Sequence, residues 1–325
     1  MRILILGGTK FLGRHVADAS LARGHELTLF NRGQTNPDLF PEAERLRGDR
    51  DGDLSALEGR AFDAVVDTSG YVPRIVRDTL DALSEVGHYT FVSSISVYAD
   101  LSQPPTESSP VGTLDRETEE VDGETYGPLK ALCEAAVRAR FPDAFVVRPG
   151  LISGPWDPTG RFTYWPVRVA DGGQVLAPAP PEAPAQIIDV RDLAEWIVDA
   201  AERRLAGTYN AICEPFSFEQ MLETCRRVAH SDAELVWVDP EFLAEHEVGE
   251  WMDLPLWIRD AAFARMLEVD PTAALANGLR IRPLEQTVAD TLEWARTDAG
   301  SALEPPAGLD RAKERVILDA WLSKG

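Results

Sequence analysis

Tyr126 and Lys130 are the residues of this sequence whose types and spacing best suit proton transfer. They are four positions apart, so both side chains lie on one face if the segment is helical. A phenol with a pKa near about 10 is a poor base at neutral pH, but a neighbouring ammonium favours the phenolate and lowers that pKa. Ser94, at the end of an apolar run, adds a hydroxyl that can hydrogen-bond an oxygen gaining or losing charge. The alternative for Tyr126 and Lys130 is an ordinary surface pair.

A second feature with chemical meaning is the glycine-rich segment 7–13, Gly-Gly-Thr-Lys-Phe-Leu-Gly. It follows the apolar run 2–6 and opens a stretch of helical spacing at 12–23. Gly7 would allow a tight turn and Gly13 close packing of helix on strand, while the helix N-terminus offers amide donors and a positive dipole end to a pyrophosphate. This context predicts a dinucleotide-binding turn, the alternative being a merely tight turn.

The residues after the second predicted strand bear on the choice of cofactor. NAD enzymes have an acidic residue there, whereas this chain has Asn31 and Arg32. An arginine at this place can meet a 2′-phosphate, and Lys10 is a second cation within reach. Two cations without a carboxylate favour NADP over NAD, with NAD still possible and Arg32 facing solvent or adenine as the alternative. Asp49 could hold the adenine amino group, or be an exposed loop acid.

The elements that must position these residues alternate along the chain. The patterns predict strands at 2–6, 26–30, 64–67, 89–93, 145–148 and 207–211, and helices at 12–23, 72–83, 126–140, 192–204 and 218–230. Such alternation predicts an α/β fold, a Rossmann-type doubly wound parallel sheet. We expect residues 1–150 to form the dinucleotide-binding domain, with segments around 186–212 returning to it, and 151–325 to form a smaller substrate-binding lobe. We expect 101–124 and most of 154–184 to be loop.

Composition narrows the classes of partner. The net charge is −22, which disfavours binding to nucleic acid and to anionic membrane surfaces, although the charge can also serve solubility alone. The three cysteines form no Cys-x-x-Cys pair, so neither a disulfide framework nor a metal site is expected, and a cytoplasmic location fits. No apolar run is long enough to span a membrane, and the N-terminal run is too short for a signal peptide.

Taken together, these motifs resemble the extended short-chain dehydrogenase/reductase family, also called the NAD-dependent epimerase/dehydratase family. The resemblance runs over most of the chain. It rests on segments in the family's order: 7–13, 91–98, 126–130, 147–150 leading to 154–155, 188–193 and 207–210. Lys10 stands where many members have the middle glycine, which is more similar to atypical members such as the chloroplast stem-loop-binding proteins.

The resemblance implies roles for particular residues. Tyr126 would be the general acid/base, Lys130 its partner, and Ser94 the hydroxyl that polarises the substrate. In NADP-preferring relatives, a basic residue at the place of Lys10 contacts the 2′-phosphate. Family members are commonly dimers, so a homodimer is possible. The residues expected to bind the cofactor are Gly7, Thr9, Lys10, Phe11, Leu12, Gly13, Asn31, Arg32, Asp49, Thr68, Ser69, Gly70, Ser93, Tyr126, Lys130 and Pro149.

The expected function is an oxidoreductase that transfers a hydride to or from a carbonyl or alcohol of a small molecule. Two alternatives stay open: an epimerase acting on a sugar or sugar nucleotide by transient oxidation, and a non-catalytic NADP-sensing or RNA-binding protein. Ile95 and Ser96 replace the Asp-Glu pair of the family's dehydratases, which disfavours dehydration, and Leu151 replaces an Asn that contacts nucleotide sugars. Candidate substrate contacts, unless they only pack the second lobe, are Tyr71, Ser96, Trp156, Arg161, Tyr164, Trp165 and Arg168.

Overall fold

A computed structural model of the chain describes residues 1–302 and 307–324. Its strands are β1 (Arg2–Leu6), β2 (Glu26–Asn31), β3 (Glu44–Arg47), β4 (Ala61–Phe62), β5 (Ala64–Asp67), β6 (Glu85–Val86), β7 (Tyr89–Val92), β8 (Phe145–Pro149), β9 (Ile152–Ser153), β10 (Gln174–Pro178), β11 (Pro184–Ala185), β12 (Ile188–Asp189), β13 (Gly207–Ala211), β14 (Phe216–Ser217) and β15 (Glu234–Val238). Its helices are α1 (Phe11–Ala22), α2 (Pro73–Ala82), α3 (Tyr126–Arg140), α4 (Tyr164–Ala170), α5 (Val190–Arg203), α6 (Phe218–Ala229), α7 (Pro240–Glu245), α8 (Thr272–Ala276), α9 (Leu284–Ala295), α10 (Asp298–Ser301) and α11 (Arg311–Leu322).

Seven parallel strands form the central sheet, in the order β13-β8-β7-β5-β1-β2-β3. β1 lies between β2 and β5, with Ile3 opposite both Leu27 and Ala64. The chain therefore first adds β2 and β3 on one side of β1. It then crosses over and adds β5, β7, β8 and β13 on the other side. Ligands of open α/β sheets bind beside such a reversal, at the carboxyl ends of the strands. The predicted Rossmann-type sheet is confirmed.

Side chains on β1 show why helices cover both faces of this sheet. Because successive side chains of a strand point to opposite faces, Ile3 and Ile5 pack with α1 and α5, whereas Leu4 and Leu6 pack with α2 and α3. All four are fully buried, and each contributes about 1.5–3 kcal/mol of apolar burial. We call the seven-stranded sheet with α1, α2, α3 and α5 the sheet region.

A second core forms around the fully buried Trp165 and contains α4, α6, α9, α11 and the parallel pair β10–β15. We call these elements the C-terminal region. Most of 154–184 is loop, as predicted, but α4 and β10 also lie within this segment. Pro166 does not prevent α4, since it occupies the helix's first turn, where no intrahelical N–H bond is lost.

Several predicted bounds agree with the structure and others do not. The elements at 2–6, 64–67, 126–140 and 207–211 coincide, and β13 joins the sheet beside β8. β3, β15, α9 and α11 were not predicted. The division into domains at residue 150 stays a prediction. No helix within 1–302 and 307–324 is long and apolar enough to cross a membrane.

Candidate active site

A cleft of about 550 Å³ opens at the carboxyl ends of the sheet strands. Its walls come from the turn between β1 and α1, the ends of β5, β7 and β8, the start of α3, and more distant residues that include Trp251 and Met266. The structure places in this one cleft the following residues that the sequence singled out: Gly7, Thr9, Lys10, Phe11, Leu12, Gly13, Thr68, Ser69, Tyr71, Ser93, Ser94, Ser96, Tyr126, Lys130, Pro149 and Arg161.

The glycine turn forms the floor at one end of the cleft. Gly7 has a φ of +110°, which side-chain-bearing residues rarely adopt. A Cβ on Gly13 would lie 2.9 Å from the Gly8 nitrogen, so only glycine lets α1 begin this close to the turn. Lys10 is the N-cap residue of α1 and makes no side-chain cap, and the first turn carries no acidic residue. The amide groups and positive dipole end of α1 are therefore available to a diphosphate.

Lys130 is buried and held by two backbone carbonyls. Its ammonium donates to the oxygens of Gly70, at 2.7 Å, and Val92, at 2.6 Å. Burial lowers the pKa of Lys130 to about 8, against the charge of Asp67, which acts to raise it. Because an ammonium has three donors, one remains for a ligand in the cleft.

Tyr126 opens α3 beside the short turn Ile95–Val97. Gly127 makes this approach possible, since a Cβ there would lie 1.9 Å from the Ser96 carbonyl oxygen. Burial raises the pKa of the Tyr126 phenol and Tyr71 raises it further, whereas Ser94 and Arg161 act to lower it. Lys130 is not among the groups that shift this pKa, and its ammonium donates to the Gly70 and Val92 carbonyls, so a lowering of the Tyr126 pKa by Lys130 stays a prediction.

Ser94 is oriented by its neighbour Ser96. The Ser94 Oγ accepts from the Ser96 amide at 3.1 Å and donates to the Ser96 hydroxyl at 3.1 Å. As N-cap of the Ile95–Val97 turn, Ser94 has its side chain fixed by local backbone geometry. Thr125 is the N-cap residue of α3, but its hydroxyl donates to the Glu120 carbonyl at 2.6 Å and does not cap the helix.

A buried ion pair beneath the cleft was not anticipated. Arg50 donates to both carboxylate oxygens of Asp67, at 2.7 and 2.8 Å, and its Nη1 also contacts the Ser69 hydroxyl at 3.2 Å. The Tyr89 hydroxyl and the Ser69 amide donate to Asp67, at 3.1 and 3.0 Å. Asp67 ends β5, so an acid at the end of a buried strand was the available sequence signal.

Four expected cofactor contacts lie outside the lining of the cleft, and their local contacts explain why. The Gly70 carbonyl is used by Lys130, and the Asn31 amide donates to the Gly7 carbonyl at 2.8 Å, so Asn31 stabilises the turn. The Asp49 carboxylate accepts from the Asp51 amide at 3.1 Å within its own tight turn. Arg32 is exposed to solvent.

Four expected substrate contacts also lie outside the lining, and we correct those predictions. Trp165 is fully buried, and its indole N–H donates to the Pro255 carbonyl at 2.8 Å. The Tyr164 ring packs against it, with the two ring centres 4.8 Å apart. Arg168 pairs with Glu314 at 2.7 Å inside the C-terminal region. Trp156 lies beneath the Arg14 guanidinium, whose carbon is 3.7 Å from the ring centre.

Comparisons with known proteins agree with the fold. A family model described as "NAD dependent epimerase/dehydratase family" matches residues 3–211. The chloroplast stem-loop binding protein of 41 kDa b from Arabidopsis thaliana is 26% identical over 289 residues, covering 82% of this chain and 72% of that protein.

Solved structures share the fold at low identity. A putative epimerase from Burkholderia cenocepacia aligns with a TM-score of 0.68 and 18% identity over 91% of this chain and 98% of that one. The UDP-glucose 4-epimerase of Thermus thermophilus, in complex with NAD, aligns with a TM-score of 0.65 and 18% identity over 92% of this chain and 100% of that one.

Proposed function

Because the chain belongs to the NAD dependent epimerase/dehydratase family and is an NAD-dependent enzyme, we propose that it transfers a hydride to or from a carbon of a small-molecule substrate, with Tyr126 exchanging the proton. The observation that carries the proposal is the meeting of Ser94, Tyr126 and Lys130 in one cleft with the open N-terminus of α1. Ser94 follows β7, whereas Tyr126 and Lys130 lie in the first turns of α3, so the tertiary fold brings two separate segments together at the cleft.

The residues of the cleft fit a dinucleotide. Gly13 lets α1 begin close against the Gly8 backbone, and the uncapped amides of α1 would bind the diphosphate. Lys130 keeps one N–H for the same ligand, because the Gly70 and Val92 carbonyls take the other two. The dinucleotide, when bound, supplies the carbon that accepts or donates the hydride.

The environment of Tyr126 suits proton donation. Since burial raises the pKa of the phenol, the neutral form prevails at neutral pH and can protonate a carbonyl oxygen that gains negative charge. In the opposite direction the phenolate must form, and Ser94 and Arg161, which act to lower this pKa, favour it. The Ser94 hydroxyl can donate to the same substrate oxygen after leaving Ser96.

The Tyr126→Phe variant tests the proposal. We expect turnover to fall by about 10²–10⁴-fold, because the acid/base is lost, while NAD affinity is retained. The measurement is formation or loss of the reduced cofactor with a panel of secondary alcohols and their ketones, and calorimetry for NAD. Tyr209→Phe is the matched control, since the Tyr209 hydroxyl donates to the Ala206 carbonyl and Tyr209 does not line the cleft. Full activity in Tyr126→Phe would exclude Tyr126 as the acid/base.

Epimerisation by transient oxidation is the second candidate. It is favoured by the likeness in fold to the Burkholderia cenocepacia putative epimerase and the Thermus thermophilus UDP-glucose 4-epimerase. An epimerase re-reduces the carbon that it oxidised, so it shows no net change of cofactor and retains the dinucleotide through purification. Native mass spectrometry of the purified protein, together with net cofactor turnover, distinguishes the two.

We also propose a preference for NADP over NAD. Lys10 lines the cleft and Arg32 follows β2 with an exposed side chain, so two cations stand near the position of an adenosine 2′-phosphate. Arg32→Asp should weaken NADP binding much more than NAD binding in calorimetric titrations. Equal losses for the two cofactors would remove the argument.

The remaining parts of the proposal concern partners and location. A small molecule rather than nucleic acid is the proposed substrate, because a net charge of −22 repels a phosphate backbone. A homodimer is proposed from the family resemblance alone. All three cysteines are free and buried, which fits the proposed cytoplasmic location.

A further inference from the structure

The charge of the cleft is opposite to that of the whole chain. The protein carries a net charge of −22, yet the charged side chains that line the cleft, among the described residues, are Lys10, Lys130 and Arg161, with no Asp or Glu. A concave site lined by one sign of charge concentrates ligands of the other sign. The cleft is therefore built to receive negative charge.

Two of these cations belong to the cofactor end of the cleft. Lys10 is the N-cap of α1 in the glycine turn, and the Lys130 ammonium is bound by the Gly70 and Val92 carbonyls. Arg161 lies on the segment that leads from β9 to α4, and its charge acts on the Tyr126 phenol. A dinucleotide on α1 accounts for the first two cations and leaves the third unexplained.

The Arg161 guanidinium is positioned with one end free. Its Nε donates to the Thr159 hydroxyl at 3.2 Å, and its carbon lies 5.3 Å from the centre of the Trp251 ring. Within the described ranges, neither terminal nitrogen makes a hydrogen bond and no carboxylate pairs with Arg161. The two terminal nitrogens together form the fork that binds a carboxylate or phosphate through two parallel hydrogen bonds.

The nearby carboxylate does not neutralise this cation by contact. Asp157 is fully buried, and its Oδ1 accepts from the amide and the hydroxyl of Thr159, both at 2.8 Å. Burial raises the pKa of Asp157, which favours its uncharged form. A partly buried cation without a counter-ion is costly, and a ligand's negative group would remove that cost.

We infer that the substrate of this cleft carries an oxyanion, a carboxylate or a phosphate monoester, which the free end of Arg161 binds close to the carbon whose oxygen Tyr126 protonates. The inference rests on the proposed function, because it names the class of substrate for the same site. Arg161 would then set specificity by holding the anion, while Trp251 and Thr159 hold Arg161 in place. Neutral alcohols and ketones of similar size would be poor substrates.

The test uses the full chain saturated with NAD, so that the diphosphate region is filled. Binding of inorganic phosphate, of malonate and of its neutral analogue malonamide is measured by calorimetry for wild type, Arg161→Gln, Arg161→Lys, Lys10→Gln and Arg77→Gln. Arg77→Gln removes one exposed arginine of α2 and is the charge-matched control. We expect wild type and Arg77→Gln to bind an anion and not malonamide. Arg161→Gln should bind it at least about tenfold more weakly, with Arg161→Lys intermediate because it keeps the charge but loses the fork.

The two anions distinguish the two kinds of substrate. Tighter binding of malonate indicates a substrate with a carboxylate, whereas tighter binding of inorganic phosphate indicates a phosphate monoester. Equal anion affinity in wild type and Arg161→Gln would overturn the inference, as would no anion binding by wild type. If Lys10→Gln lost anion affinity and Arg161→Gln did not, the anion would bind at the glycine turn, and the inference would also be overturned. NAD affinity and the Tyr126→Phe result report on the proposed function separately.

Discussion

The sheet region and the C-terminal region each contain a buried pair of an arginine and a carboxylate, and the two pairs do different work. In the sheet region Arg50 binds Asp67 through two hydrogen bonds, with the carboxylate fully buried. In the C-terminal region Arg168 binds Glu314, whose side chain is only 3% exposed. Both pairs have the same chemistry and nearly the same burial.

Their surroundings differ. Asp67 also accepts from the Ser69 amide, and its charge acts on Lys130, so this pair is connected to two residues that line the cleft. Glu314 accepts instead from the Leu176 amide at 3.1 Å, which ties α11 to β10. One pair therefore influences the electrostatics of the site, whereas the other joins segments 146 residues apart.

The largest effect is expected from breaking each pair. Asp67→Asn and Glu314→Gln should each lower the free energy of unfolding by about 3–5 kcal/mol, because a buried arginine loses its counter-ion. Urea unfolding measures this loss of stability.

The dependence of activity on pH should distinguish the two variants. Without Asp67 the pKa of Lys130, about 8 in wild type, falls further, so the alkaline limb of the pH–rate profile moves to lower pH. The Glu314→Gln profile should match wild type, and a shared shift would contradict the comparison.

A smaller effect, confined to ligand binding, is expected at the glycine turn of the sheet region. Gly13→Val places a Cβ 2.9 Å from the Gly8 nitrogen, so the turn must move away from α1. NAD affinity should fall by about tenfold or more in calorimetric titrations, with secondary structure retained by circular dichroism. Gly123→Val is the matched control, because no atom lies within 4 Å of its added Cβ. Similar NAD affinity in both variants would show that the turn does not bind the cofactor.

The smallest effect concerns a histidine that joins α1 to the segment beyond β9. His15 Nε2 lies 3.1 Å from the Pro155 carbonyl oxygen, and burial lowers the pKa of His15 from its usual 6.5. The unfolded chain therefore binds a proton at higher pH than the folded chain, and stability falls as pH decreases below about 6.5.

Replacing this histidine should flatten that dependence. His15→Asn is expected to lose less stability than wild type between neutral and mildly acidic pH, measured by urea unfolding at each pH. His230→Asn, which changes an exposed residue at the end of α6, is the control. An unchanged slope in His15→Asn would indicate that His15 titrates alike in the folded and unfolded chain.

Sequence alone determined the elements whose signals are local. The strand Arg2–Leu6 and the helix Tyr126–Arg140 coincide with their predicted bounds, because an apolar run ended by glycines and a 3.6-residue period are visible within a few residues. The glycine turn belongs to the same class, since its function is performed by backbone groups of consecutive residues. Most of the predicted residues that line the cleft come from such local motifs.

Tertiary structure decided what depends on segments far apart in the chain. Trp165, Arg168 and Arg161 look equivalent in the sequence as aromatic or basic residues after β9. Packing directs the first two into the C-terminal core and leaves Arg161 in the cleft. The Arg50–Asp67 pair likewise forms only when the strands come together. The physical reason is that burial and charge pairing are properties of a side chain's neighbours in space, which short-range patterns do not specify.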